Sequence, residues 1–398
     1  MKYSRRSFIK AGTSTLFFPV LTRKVFSQSD ESEIHAKIDA AKPSKSKKLP
    51  SDFNSRVGAT HVAGKYHFTD KPFLLEGAEK LLSLNTRLGK FWLIPKTIKS
   101  SYPFNSRWDE YQTLTECINS EYFQELLRMP FNTFVFEAHA PIEEKWRRPN
   151  LPPDFYSDVG KEFYELTRYL YTHFRNRDVV FILQHWEGDW LLRGRAGEMW
   201  KEVPTDWQDL CSRMQKWLAA RQNGVQRARN EFGKGAKCVV AHAAEVNRVT
   251  DAWKGIPTVT RNVLPDVELD LVSYSAYDGM KDPVLMWKCI QEIKTNARTG
   301  KLFGKESVFI GEIGIPENEQ KENLRQRWDD LMAVFLATDM KYVIQWELFC
   351  NELKPSDLKV QLPVKDVNLL RGFWLIKPDN SLSITGSYFS ELWQKTHS

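Results

Sequence analysis

The chain has 398 residues, 42% of them hydrophobic and 27% charged, which suits a globular protein and excludes a disordered or fibrous one. Its formal net charge is +7, from 57 basic and 50 acidic residues, but residues 1–27 hold six of the bases (Lys2, Arg5, Arg6, Lys10, Arg23, Lys24) and no acid. The rest carries 51 bases against 50 acids, so no electrostatic argument for a nucleic-acid partner survives.

Ser4-Arg5-Arg6-Ser7-Phe8-Ile9-Lys10 resembles the twin-arginine export signal of bacteria, and a short apolar run over 11–21 follows it. That run is too short to span a bilayer, and Val25 and Ser27 offer small cleavage positions before Gln28. The resemblance implies a signal peptide over 1–27, passage through the twin-arginine export machinery, no membrane anchor after cleavage, and a periplasmic or extracellular protein. Residues 28–55 are polar and lysine-rich and read as a linker or N-terminal extension. Residues 56–398 read as one domain. The five cysteines (Cys117, Cys211, Cys238, Cys289, Cys350) share no metal-ligand spacing, and buried free thiols are expected.

From residue 56 onward, short apolar runs alternate with longer amphipathic stretches. Strands are expected at 57–68, 91–95, 133–138, 179–187, 238–246, 269–276, 307–313 and 342–348. Helices are expected at 74–88 (with Gly89 as its C-cap), 108–128, 155–174, 206–232, 283–296 and 319–338, with a last one inside 372–393. Gly255 and Pro257 weaken any helix over 251–261. Eight strand–helix units argue for parallel pairing through right-handed crossovers, closing into an α/β (β/α)8 TIM barrel. A doubly wound open sheet is the rival, and no glycine-rich phosphate turn supports it.

In such a barrel the functional residues gather at the C-terminal strand ends. Those ends are rich in acids, imidazoles and aromatics: His67; Glu137 and His139; His185, Glu187 and Asp189; His242, Glu245 and Asn247; Tyr274, Tyr277 and Asp278; Glu312; Trp346 and Glu347. The fourth strand end, Gln-His-Trp-Glu-Gly-Asp-Trp over 184–190, sets a carboxylate between two indoles. Indole faces stack on sugar rings; Trp92, Trp186, Trp190, Trp346 and Trp374 are candidates, with Trp190 and Trp346 preferred. Arg193 and Arg195 are expected to be solvated loop charges.

Phe309-Ile310-Gly311-Glu312-Ile313-Gly314 resembles the strand-seven segment of the clan A glycoside hydrolases, cellulase-like (β/α)8 retaining enzymes. The resemblance covers the domain from about residue 57 and implies Glu312 as nucleophile and Glu187, ending strand four, as general acid/base. It also implies Tyr274 or Tyr277 as the tyrosine bonding the nucleophile, and Trp346 as the platform under the sugar. One departure stands out: the clan places asparagine directly before the acid/base, where this chain has Trp186. Either Glu187 is the acid, with Asn247 or His185 supplying the missing contact, or Glu245 is the acid and Glu187 binds substrate. His139, His185, Trp190, Asn247, Tyr274, Tyr277, Trp346 and Glu347 are the expected substrate-binding residues. The expected ligand is a poly- or oligosaccharide, with no cofactor. Two rivals remain, a carbohydrate-binding pseudoenzyme on the same barrel and a metal-dependent barrel hydrolase using His139, His185 and His242. No paired HxH or HExxH spacing supports the metal.

Overall fold

A computed structural model describes residues 28–45 and 49–395. The twin-arginine segment lies outside the described residues. Eight parallel strands, β1 (Val57–His61), β2 (Leu88–Leu93), β3 (Thr133–Ala138), β4 (Val180–Gln184), β5 (Val239–Val246), β6 (Leu271–Ser275), β7 (Val308–Ile313) and β8 (Val343–Gln345), close into a barrel in which each pairs with its sequence neighbours and β8 returns to β1. The fold is the expected (β/α)8 barrel. Helices form its outer layer, among them Phe73–Ser83, Phe155–Phe174, Trp207–Phe232, Pro283–Asn296, Leu324–Ala337 and Ile384–Gln394.

The strand side chains alternate between two environments, as a pleat of period two requires. One set packs outward under the helices. The other fills the barrel, and its lowest layer is apolar: Leu88, Val135, Ile182, Ala243, Leu271, Phe309 and Ile344 belong to one buried cluster. Two residues further along, five of these strands turn polar, with Lys90, Glu137, Gln184, Glu245 and Ser273, and β7 carries the side-chain-free Gly311. Apolar packing therefore seals the bottom of the barrel, and a hydrogen-bonded layer carries the mouth.

Three differences from the sequence reading have physical causes. The helix expected over 74–88 ends at Ser83, and Asn85 turns in the left-handed region at φ 71°. Gly89 is thus a residue of β2 rather than a C-cap, and Lys90 is placed inside the barrel. The helix expected over 108–128 is broken into Leu114–Ile118 and Glu121–Arg128. The segment expected to be a linker is a helix, Gln28–Ala40. It docks through Ile34 and Ile38, buried residues one turn apart, against Leu324–Ala337 and Pro283–Asn296. Ion pairs Lys42–Asp330 (2.9 Å) and Lys288–Glu31 pin it. Among the described residues no helix is long and apolar enough to cross a membrane.

Candidate active site

Glu187 and Glu312 are brought to the barrel mouth by two local departures from regular structure. Strand β4 ends at Gln184, and on a regular strand Glu187 would point opposite to Gln184. Instead its backbone takes φ 22°, ψ 77°, a strained conformation for a residue with a side chain, and the carboxylate accepts a hydrogen bond from the Ser275 hydroxyl (2.8 Å) at the end of β6. Two donors and acceptors hold the bend. Glu245 accepts the Glu187 N–H (2.9 Å), and the Glu187 carbonyl accepts from the N–H of Trp190 (3.0 Å).

On β7 the register slips. Tyr274 opposes Ile310 but Ser275 opposes Glu312, so β7 carries one extra residue. Such a bulge re-aims the side chain that follows it. Gly311 permits it, because a Cβ there would stand 1.7 Å from the Ser273 hydroxyl and 2.7 Å from Glu245 Oε2. The result sets Glu312 beside Ser275, the residue that also bonds Glu187.

The surroundings of the two carboxyls differ. Burial is the chief force raising the proton affinity of each. The Lys90 ammonium, 3.6 Å from Glu312 Oε2, and a hydrogen bond from the Tyr277 phenol work against it at Glu312, while the negative charges of Glu245 and Glu137 add to it. At Glu187 the next contributions, from the negative charges of Glu312 and Glu245, push the same way as burial, and only the Ser275 hydroxyl and the more distant Lys90 oppose it. Glu187 is held well above the ordinary carboxylate range.

Beneath them lies the polar layer. Lys90 is wholly buried; its ammonium is 2.8 Å from Glu137 Oε1 and donates to the Gly311 carbonyl at 3.0 Å. Glu245 is equally buried, and both of its oxygens are occupied: Oε1 by the Glu187 N–H, Oε2 by the Ser273 hydroxyl (2.7 Å) and the Gln184 amide (3.0 Å). Glu245 therefore ties three strand ends, those of β4, β5 and β6, together below the mouth.

The other expected site residues divide. Tyr277 reaches Glu312, whereas Tyr274 is buried outside the barrel and donates to Asp278 at 2.6 Å. Trp346 is largely buried and its indole N–H donates to Glu352 (3.3 Å); Glu347 beside it accepts the Asn351 N–H at 2.7 Å and is wholly buried. His139 is partly exposed, 3.9 Å from Glu143.

Two residues offered for the contact that Trp186 leaves missing are engaged elsewhere. His185 donates from Nδ1 to the Trp186 carbonyl (3.1 Å) and accepts the Glu245 N–H at Nε2 (3.2 Å), with burial pushing its ring down to about 3. Asn247 accepts the Asp189 N–H (2.9 Å) and returns its own N–H to Asp189 (3.0 Å). Both tie the β4 end to the β5 end. Trp190 lies under the guanidinium groups of Arg193 and Arg248, 5.6 and 5.4 Å from its ring centroid. Arg193 is no solvated loop charge: it is buried, 3.0 Å from Asp251, while Arg195 is exposed.

His242 is spent on Arg221 (3.1 Å) and Gln222 (3.2 Å) within the fold. Among the described residues no group of three or more His, Cys, Asp or Glu side chains is placed to hold a metal ion. All five cysteines are buried free thiols. Lys90, Ser273 and Ser275 were not singled out from the sequence. The alternation Leu88-Gly89-Lys90-Phe91-Trp92-Leu93 was a signal for Lys90; a serine at a strand end carries none.

No family model and no curated protein matches this sequence. Solved structures with a similar backbone include endo-glycoceramidase II from Rhodococcus sp., 9% identical, with 84% of this chain and 78% of that one covered and a TM-score of 0.45. Another is a xyloglucan-specific endo-beta-1,4-glucanase from a metagenomic library, in complex with cellotriose, at 11% identity, 93% and 100% coverage and a TM-score of 0.46. A third is a beta-glucuronidase from Ruminococcus gnavus, at 10% identity and a TM-score of 0.42, where 80% of this chain matches 46% of that one.

Proposed function

We propose that this chain is an exported retaining glycoside hydrolase in which Glu312 is the nucleophile and Glu187 the general acid/base. The observation that carries the reading is the convergence of two buried carboxyls from the ends of β4 and β7, Glu187 bonded to the Ser275 hydroxyl and Glu312 opposite Ser275 in the strand register, close enough that the charge of Glu312 is felt at Glu187. Glu312, with an ammonium and a phenol set against the repulsion of Glu245 and Glu137, is the one to ionise. Glu187, repelled by two carboxylates, is the one to keep its proton.

The chemistry follows from that difference. Glu312 attacks the anomeric carbon while Glu187 passes its proton to the departing glycosidic oxygen, giving a glycosyl ester and a free alcohol. Glu187, now a carboxylate, takes a proton from the water that attacks the same carbon, and Glu312 leaves with its charge restored. Retention needs carboxyls only about 5–5.5 Å apart, whereas inversion needs room for a water between them. The retaining arrangement is the one proposed, and the anomer of the first-formed product tests it.

A panel of activated aryl glycosides, with the anomer of the first-formed product read by NMR, tests the reading. Turnover with retention is expected; no turnover on any sugar would favour a carbohydrate-binding pseudoenzyme. The pH profile has a definite sign. Loss of activity on the acid side follows protonation of Glu312, which burial raises, so that limb is expected above the ordinary glutamate value of about 4.3. The alkaline limb follows loss of the Glu187 proton and is expected higher still. An acid limb at the ordinary glutamate value would contradict the assignment.

Export belongs to the same proposal. It is supported by the Arg5-Arg6 segment and by thiols left unpaired, as in a protein that folds in a reducing compartment before crossing. Changing both arginines to lysine is expected to leave folded protein in the cytoplasm, read by fractionation. Undiminished export of that variant would overturn it.

A further inference from the structure

The layer below the two mouth carboxyls holds more charge than positioning them requires. Within 4 Å the Lys90 ammonium meets Glu137 Oε1 at 2.8 Å, the Gly311 carbonyl at 3.0 Å, Glu312 Oε2 at 3.6 Å and Glu245 Oε2 at 3.7 Å. Its nearest partner is thus Glu137, not the carboxylate proposed to do chemistry. Glu137 is wholly buried, and among the described residues its Oε2, like Oε2 of Glu312, has no partner at hydrogen-bond distance. Glu245 lies about as near the cation as Glu312 but its oxygens also accept from the Ser273, Gln184 and Glu187 donors, which leaves Glu137, the nearest carboxyl, and Glu312, whose Oε2 has no other partner, as the two that lean most on it.

We propose that Lys90 is a counter-ion shared between Glu137 and Glu312, and that Lys90 and Glu137 set the charge on Glu312 in opposite senses. The inference rests on the reading of Glu312 as nucleophile and gives that reading a requirement. A lone ammonium in a dry barrel is strongly unfavourable. When Glu312 becomes an ester its negative charge disappears. Had Lys90 no other partner, ester formation would strand it. Held at 2.8 Å by Glu137, it stays paired in both states without moving, and it still lies close enough to favour the Glu312 anion before attack. Lys90 and Glu137 touch no substrate in this scheme; they are positioning residues.

The groups that face Glu312 are Lys90 from β2, Glu137 from β3, Glu187 following β4, Glu245 from β5, Tyr277 following β6 and Glu347 following β8. Of these Lys90 is the cation, so removing it must raise the proton affinity of Glu312. Removing the negative charge of Glu137 must lower it. A residue that merely filled space would shift both variants alike or neither.

The test is a titration of the Glu312 side chain by carbon NMR on protein labelled at glutamate carboxyl carbons, assigned by difference from Glu312→Gln. It needs no substrate. Lys90→Met is expected to move the Glu312 titration up by about one to three pH units and Glu137→Gln to move it down by about one. The acid limb of kcat/KM is expected to move in the same two directions. Glu137→Gln keeps the shape and the acceptor toward Lys90, so the proposal stays testable if Lys90→Met does not fold. Shifts of one sign, or no shift in the folded Glu137→Gln protein, would overturn it. If the titrations move as expected while no glycoside is turned over, the shared counter-ion stands and the glycosidase reading is what fails.

Discussion

Replacing Glu312 by alanine is expected to lower kcat/KM on an activated aryl glycoside by about four orders of magnitude or more, with the fold intact. Tyr277, Lys90 and the register slip on β7 all converge on this carboxyl, and the other acids of the polar layer are buried beneath it. Its removal leaves Lys90 paired with Glu137, so no charge is orphaned. Stability gives a second readout with a definite sign. A carboxyl whose folded-state proton affinity is raised opposes folding once the pH exceeds its unfolded value, most fully above its folded value. The variant is therefore expected to melt higher than the native protein at alkaline pH, and with little difference in acid. Gain of stability with loss of turnover is the mark of a residue kept for chemistry. Azide added to this variant should enter the vacated space and attack the anomeric carbon, giving a glycosyl azide of the configuration opposite to the substrate. Retention of near-native turnover by Glu312→Ala would remove the nucleophile assignment.

What the sequence made legible followed from patterns of fixed period or from a contiguous motif. Eight apolar runs spaced by amphipathic stretches announce the barrel, and the strand-seven segment around Glu312 announces one carboxyl. Lys90 was hidden for a specific reason: Leu84 to Arg87 continue a helical rhythm in sequence while the chain has already turned at Asn85. The helix over Gln28–Ala40 escaped because its own pattern is polar nearly throughout; two isoleucines and a few ion pairs on the barrel supply what composition lacks. The choice between Tyr274 and Tyr277 could not be made from spacing, since it depends on which way the chain bends after β6. His185 and Asn247 show a role that the sequence does not reveal. Polar residues at strand ends can bind a ligand or join one loop to its neighbour, and the second task, seen at both residues, leaves no trace in sequence because its partner is a distant backbone.

Glu187→Ala and Glu245→Gln are expected to fail in different ways, and the difference decides between the two acids. Loss of a general acid costs about 10²–10⁴-fold, and the cost depends on how much help the leaving group needs. Glu187→Ala should therefore be far more impaired on a phenyl than on a dinitrophenyl glycoside. Azide should restore turnover on the better leaving group, with a glycosyl azide of the substrate's own configuration, because Glu312 still forms the ester and azide replaces the water that Glu187 would have activated. Both oxygens of Glu245 already accept from protein donors. What it supplies is the acceptor for the Glu187 N–H at a backbone bend of positive φ, together with the link from β4 through β5 to β6. Its replacement by glutamine trades an ionic acceptor for a neutral one and puts a second amide against Gln184 or Ser273. The bend should loosen and kcat should fall on good and poor leaving groups alike. Azide should rescue nothing there, since the acid itself is still present. Rescue of Glu245→Gln, with no leaving-group dependence in Glu187→Ala, would move the proton donor to β5. The strained backbone at Glu187 would then have to be explained by binding alone.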